Sequence, residues 1–137
     1  MELLRIYSCF CDQTRLRIIN LLTAGPLCVC HFQEVLEEPQ VKISKHLNYL
    51  KLHGLVVGKR ESNWVIYSLP DRPSKELQTQ LACLQDCRGE EPILKKDSER
   101  LQRLRGKFEK NSPICCASKA VEKQKNRKQH GSHSTAS

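Results

Sequence analysis

The chain has 137 residues, a formal net charge of +8 at pH 7 and only 5% aromatic residues, with an isoelectric point near 9.2 and a mean hydropathy of -0.53. That length and composition allow one ordinary domain with a thin core, so either part of the chain lies outside the core or a partner subunit adds burial. The basic balance points to a polyanionic partner, nucleic acid before a membrane surface, and no apolar run is long enough to cross a bilayer while the start Met1-Glu2-Leu3-Leu4-Arg5 lacks the regions of a signal peptide, which predicts a cytoplasmic protein with no membrane partner.

In chain order, Leu3, Leu4, Tyr7 and Phe10 recur at helical spacing and predict a first helix over 2–10. Asp12 is placed to cap a second helix with Leu16, Ile19 and Leu22 on one face, stopped at Gly25-Pro26. A third short helix fits 27–36, and Glu37-Glu38-Pro39 turns into a fourth. There Ile43, Leu47 and Leu50 share one face while Val41, Ser44, Lys45 and Asn48 point away from it, and Gly54 is positioned as the stop.

After Gly54 the period shifts towards 2. Residues 55–60 and 64–69 read as strands joined by Glu61-Ser62-Asn63. A fifth helix is expected over 75–87 with Leu77, Leu81 and Leu84, then a break at 88–92, then a weaker sixth carrying Leu94, Leu101, Leu104 and Phe108. From Ala117 onward the chain has little to bury and is expected to be a disordered basic tail.

Two short helices joined by a turn, the second polar on its outer face and followed by a two-stranded hairpin, make a winged helix-turn-helix pattern, mostly α with a β-hairpin. In that pattern Ser44, Lys45 and Asn48 can meet base edges or phosphates in the major groove, and Lys59 and Arg60 near the hairpin tip can reach an adjacent phosphate.

The segments Cys11-Asp-Gln-Thr-Arg-Leu-Arg-Ile-Ile-Asn-Leu-Leu22, Leu27-Cys-Val-Cys30, Lys42-Ile-Ser-Lys-His-Leu-Asn-Tyr-Leu50 and Trp64-Val-Ile-Tyr67 together resemble the ArsR (ArsR/SmtB) metalloregulators, over roughly residues 3–69. The resemblance implies a winged-helix homodimer built on the first and last helices and bound to double-stranded operator DNA with two-fold symmetry. It adds Gln40 and Lys42 to Ser44 and Lys45 as base-reading or phosphate-facing positions. The chain is expected to divide into a DNA-binding and dimerisation domain over 1–88, a helical extension with a Cys-Cys pair over 89–116 and the tail over 117–137. Many relatives carry Gly where this chain has Ser62; Asn63 tolerates a left-handed conformation and is expected to carry the turn.

The eight cysteines fall in tight pairs, Cys9/Cys11, Cys28/Cys30, Cys83/Cys87 and Cys115/Cys116. In a reducing compartment such pairs point to thiol chemistry rather than a disulfide framework. Cys28 and Cys30 sit at the expected start of the third helix, beside the reading unit. Residues two apart on a helix point about 200° away from each other, so gripping one ion there would unwind the first turn. Soft thiolates suit trivalent arsenic or antimony, which prefers three sulfurs in a pyramid, and also cadmium or lead.

The expected effector is therefore arsenite or antimonite, with no resident cofactor required. Gln33 stands where arsenite-responsive relatives often carry a third Cys, so Cys115 or Cys116 is expected to complete the set. Cys9 and Cys11 fall where the family has small residues and are expected to pack in the core. Cys83 and Cys87, at i and i+4, share a helix face and either pack or bind an ion. His31 is expected to face solvent.

The competing readings are a redox-responsive repressor switched by disulfides and a thiol-disulfide oxidoreductase. The second lacks a C-x-x-C after a strand and a nucleophile paired with a base.

Overall fold

Asp12 separates the first two helices. Its backbone is extended, and its carboxylate accepts the Arg15 amide at 3.0 Å as an N-cap. The computed structural model describes residues 1–110, the side chains of 107–110 excepted. It comprises α1 (Glu2–Phe10), α2 (Gln13–Leu22), β1 (Leu27–Cys28), α3 (Val29–Leu36), α4 (Gln40–Leu52), β2 (Val57–Glu61), β3 (Trp64–Ser68), α5 (Lys75–Cys87), a 3-10 turn at Arg88–Glu90, and α6 (Pro92–Lys110). This is the expected mostly helical winged helix-turn-helix. Cys115, Cys116 and the tail from Ala117 lie outside the described residues.

α2 is the central helix: Ile18, Ile19, Leu21 and Leu22 are buried among α1, α4 and α6. Its buried Asn20 is satisfied by donating to the Leu94 carbonyl at 3.3 Å and accepting from Arg88 Nε at 2.6 Å. α6 adds Leu94, Leu101 and Leu104 to the same core. α5 starts at Ser74, whose hydroxyl accepts the Leu77 amide and donates to Glu2, joining α5 to α1.

The structure corrects the sequence reading in three places. The apolar stripe read for α1 is only partly the packed face: Ile6 and Cys9 are fully buried and Phe10 packs against the core, while Leu4 is 65% and Tyr7 47% exposed. The helix is apolar on two faces, and the stripe omitted Ile6, so spacing alone did not separate the covered face from the exposed one. Residues 27 and 28 are a strand rather than the first turn of α3, pairing with Tyr67 and Ile66 in a sheet of order β1-β3-β2. Finally, the hairpin turn has two residues, since Glu61 pairs with Trp64, and Ser62 takes the positive φ of 56° in place of Asn63. The stop after α4 agrees with expectation: Gly54 has φ 77° and the Leu55 amide closes on the Leu50 carbonyl at 3.0 Å.

α6 is fastened to α2 by a two-pronged pair in which Arg17 donates to Asp97 at 2.7 and 2.9 Å. Asp97 is 1% exposed, and its carboxylate holds the Arg17 guanidinium above its ordinary value. Removing one partner strands the other in a desolvated site. We predict that Asp97→Ala lowers unfolding free energy by about 3 kcal/mol in a denaturant titration; a loss below about 1 kcal/mol would show that the pair is not a fastening of the fold.

Candidate functional site

α4 divides as its sequence requires. Ile43, Leu47 and Leu50 are fully buried, whereas Gln40, Val41, Lys42, Lys45 and Asn48 are exposed and Ser44 is half-buried. The helix begins after Pro39 with no side-chain cap, which leaves first-turn amides facing outward. Lys42 is 3.2 Å from Glu38, and in the wing Lys59 is 3.8 Å from Glu61 beside the exposed Arg60. These are surface pairs of small strength that a phosphate can displace. The residues named from sequence thus lie on one outward helix face and the adjoining wing.

Behind that face, α4 is held by the end of α1 and the start of α2. Tyr49 is hydrogen-bonded to Ser8, and the Arg15 guanidinium lies 4.2 Å over its ring. His46 stands 3.9 Å from Asp12.

At the other side, Cys28 is buried with an extended backbone and caps α3. Its thiol accepts the His31 amide, and His31 Nδ1 accepts the Cys28 amide at 3.3 Å and lies 3.4 Å from the thiol. His31 is 7% exposed, which corrects its expected solvent-facing position. The signal was present: Cys28-x-x-His31 has the spacing of a capping box, with Cys and His in place of Ser or Thr and Glu or Gln. Since Cys28 precedes the helix, the 200° argument for Cys28 and Cys30 no longer applies. Both line one cleft of about 400 Å³, together with Gln33, Gln40, Trp64 and Tyr67. The structure therefore brings the C-x-C pair to the start of α4 and to strand β3.

The pair Cys9/Cys11 is split. Cys9 is buried, which pushes its thiol up to about 11; Cys11, expected in the core, is exposed. Cys83 and Cys87 are exposed on α5. Among the described residues no three His, Cys, Asp or Glu already stand together as a metal-holding group.

The profile of the bacterial regulatory protein arsR family matches residues 12–57. The chain is 42% identical over 73 residues to the uncharacterized HTH-type transcriptional regulator MJ1325 of Methanocaldococcus jannaschii, covering 53% of this chain and 82% of the relative. It is 33% identical over 113 residues to the arsenic resistance transcriptional regulator ArsR1 of Pseudomonas putida, covering 82% and 85%. The chain belongs to the ArsR family. Among solved structures, HlyU from Vibrio cholerae superposes with a TM-score of 0.56 at 27% identity, covering 62% of this chain and 89% of that one. As an ArsR-family member the chain is a transcriptional regulator and not an enzyme, and among the described residues no helix is long and apolar enough to cross a membrane.

Burial holds His46 below its ordinary 6.5, against the opposing pull of Asp12. A His depressed on folding binds protons more readily when unfolded, so its contribution is intact above 6.5 and is lost as pH falls from there through the lowered folded value. Asp12 acts in a lower window. Burial alone would raise it, but the Arg15 amide and the charges of His46 and Arg15 bring it below 3.8, so its contribution is lost only as pH falls below that. Melting temperature followed against pH should fall below about 6.5, and His46→Gln should flatten that limb; an unchanged slope in the variant would remove His46 from the account.

Proposed function

We propose that this ArsR-family regulator is a homodimeric repressor that holds double-stranded operator DNA through α4 and the wing, and releases it when arsenite binds Cys28 and Cys30. Antimonite, cadmium and lead share the thiophilic chemistry. The observation that carries the reading is the cleft of about 400 Å³ lined jointly by Cys28, Cys30 and Gln40, since an ion held there touches the start of the reading helix. The relative named for arsenic resistance supports the choice of effector. The exposed Leu4 and Tyr7 on α1 supply an apolar face for a second copy. The protein acts in the cytoplasm, where reducing conditions keep the thiols available.

On this reading Gln40, Lys42, Ser44, Lys45, Asn48 and Arg60 form the DNA-facing set, aided by the uncapped amides of α4. Gripping an ion takes the Cys28 thiol away from its cap, worth about 1 kcal/mol in an ordinary helix. Swinging an operator from mostly bound to mostly free takes about 3 to 5 kcal/mol. Loss of the cap is too small alone, so a shift of α3 and of the Gln40 end of α4 supplies the rest. With Gln33 unable to act as a soft ligand, Cys115 or Cys116 completes the set, because closing a longer loop adds only about 0.6 kcal/mol per doubling of its length.

Two experiments test this. In a gel shift on the promoter of its own gene, Cys28→Ser/Cys30→Ser should retain operator binding while needing at least roughly tenfold more arsenite for release, a change of about 1.4 kcal/mol, and Cys115→Ser/Cys116→Ser should shift release in the same direction. An arsenite response identical to wild type in the first variant would place the sensor elsewhere. Separately, Lys45→Ala should lower the slope of log affinity against log salt by about 2 for a dimer, one phosphate contact per subunit; an unchanged slope would take Lys45 off the phosphates.

A further inference from the structure

A second cleft, of about 490 Å³, opens on another part of the molecule, and Cys11, Cys83 and Cys87 all line it. Cys83 and Cys87 share a face of α5, and their thiols are hydrogen-bonded to each other. Cys11 comes from the two-residue link between α1 and α2, and all three are exposed. The lining mixes apolar residues such as Phe10, Leu16 and Ile93 with the charged Asp12, Arg17 and Glu91. Cys9, next but one to Cys11, is buried and outside this lining.

We infer that Cys11, Cys83 and Cys87 form a second, thiol-only binding site for a trivalent metalloid hydroxide, distinct from the Cys28/Cys30 cleft and independent of its assignment. The thiols do not converge in the unliganded arrangement. The i, i+4 pair supplies two sulfurs from one rigid face, and Cys11, outside either helix and not held in the core, swings over to supply the third. Each exchange forms one As–S bond and breaks one As–OH bond. The thiol proton leaves with the hydroxide as water, so three thiols and arsenous acid give a trithiolate complex and three waters, with no change in oxidation state.

Two further features fit that chemistry. The product carries no net charge, so the apolar part of the lining does not oppose it, whereas a divalent cation on three thiolates would leave a net negative charge there. The Cys87 thiol is held above its ordinary value, first by its hydrogen bond with Cys83 and then by nearby negative charge including Glu90 and Asp86. Asp12, beside Cys11, also lines the cleft and faces His46 of α4, so the site adjoins that helix at a different point from the Cys28 cleft.

The test uses the full chain carrying Cys28→Ser, Cys30→Ser, Cys115→Ser and Cys116→Ser, in which Cys9, Cys11, Cys83 and Cys87 are the remaining thiols. Equilibrium dialysis against arsenite should give one equivalent per chain, with three sulfur neighbours by X-ray absorption. Adding Cys83→Ser/Cys87→Ser, or Cys11→Ser alone, should weaken binding at least roughly tenfold, with circular dichroism confirming an unchanged helical fold. No arsenite retained by the four-serine chain would overturn the proposal. So would binding lost with Cys83 and Cys87 but untouched by Cys11→Ser, which would mean a dithiol. Because the Cys28/Cys30 cleft is already disabled in this background, neither result bears on the sensing role assigned to that cleft.

Discussion

The guanidinium of Arg15 joins three elements at one point. α1 ends in carbonyls that its own helix cannot satisfy; Arg15 donates to two of them, Cys9 at 3.2 Å and Ser8 at 3.0 Å. The same group lies over the ring of Tyr49, and its backbone amide is the donor that Asp12 caps. One residue therefore closes α1, helps start α2 and bears on the back of α4. Because Asp12 also faces His46, the angle of α4 is set by polar contacts of the α1–α2 link as well as by the apolar packing of Ile43, Leu47 and Leu50.

A second polar network holds α6. Asn20, Arg17 and Asp97 are charged or polar groups at the α2–α6 interface, and each has a partner: Asn20 meets the Leu94 carbonyl, Ser98 and Arg88, while Arg17 meets Asp97. Among the described residues no buried side-chain polar atom is left without a hydrogen bond. Apolar residues in those positions would give comparable or greater stability. What the directed bonds add is a register, because sliding α6 by one turn would leave a buried carboxylate and a buried amide unpaired. The 19-residue helix thus has a defined seat although few of its residues are apolar.

Helix ends were the most legible part of the sequence, since Asp12, Gly25, Gly54 and the 88–92 break each act through local backbone chemistry. The buried face of α4 was legible for a similar reason, because one apolar stripe opposes one polar stripe. α1 was misread where that contrast fails: with apolar residues on two sides, only the position of α2 decides which side is covered, and that is not local. β1 was invisible because two residues carry no period and their partners, Ile66 and Tyr67, lie far along the chain. The hairpin's two-residue turn depended on the Glu61–Trp64 register, which composition does not specify. At the thiol sites, neighbours in sequence were legible as pairs; the cleft shared by Cys11 with Cys83 and Cys87 was not, as it exists only once α5 has packed against α1.

Those two clefts adjoin α4 at different points. One touches its start through Gln40, and the other adjoins Asp12 and, through it, His46. A helix fixed by a deep apolar core alone would resist re-aiming, because cores tolerate little displacement. α4 has a core on one face only and is steadied elsewhere by the Arg15–Tyr49 stacking and a few polar contacts, each worth about 1 kcal/mol. Coupling of a few kcal/mol therefore requires disturbing several of these at once, which a ligand spanning two elements can do and a ligand on one side chain cannot. Linkage adds a constraint in the reverse direction: if loading a cleft weakens the grip on DNA, DNA must weaken the cleft's hold on its ligand by the same factor. Chelating residues drawn from different elements meet both conditions, since the geometry that binds the ion is the geometry that α4 has to surrender.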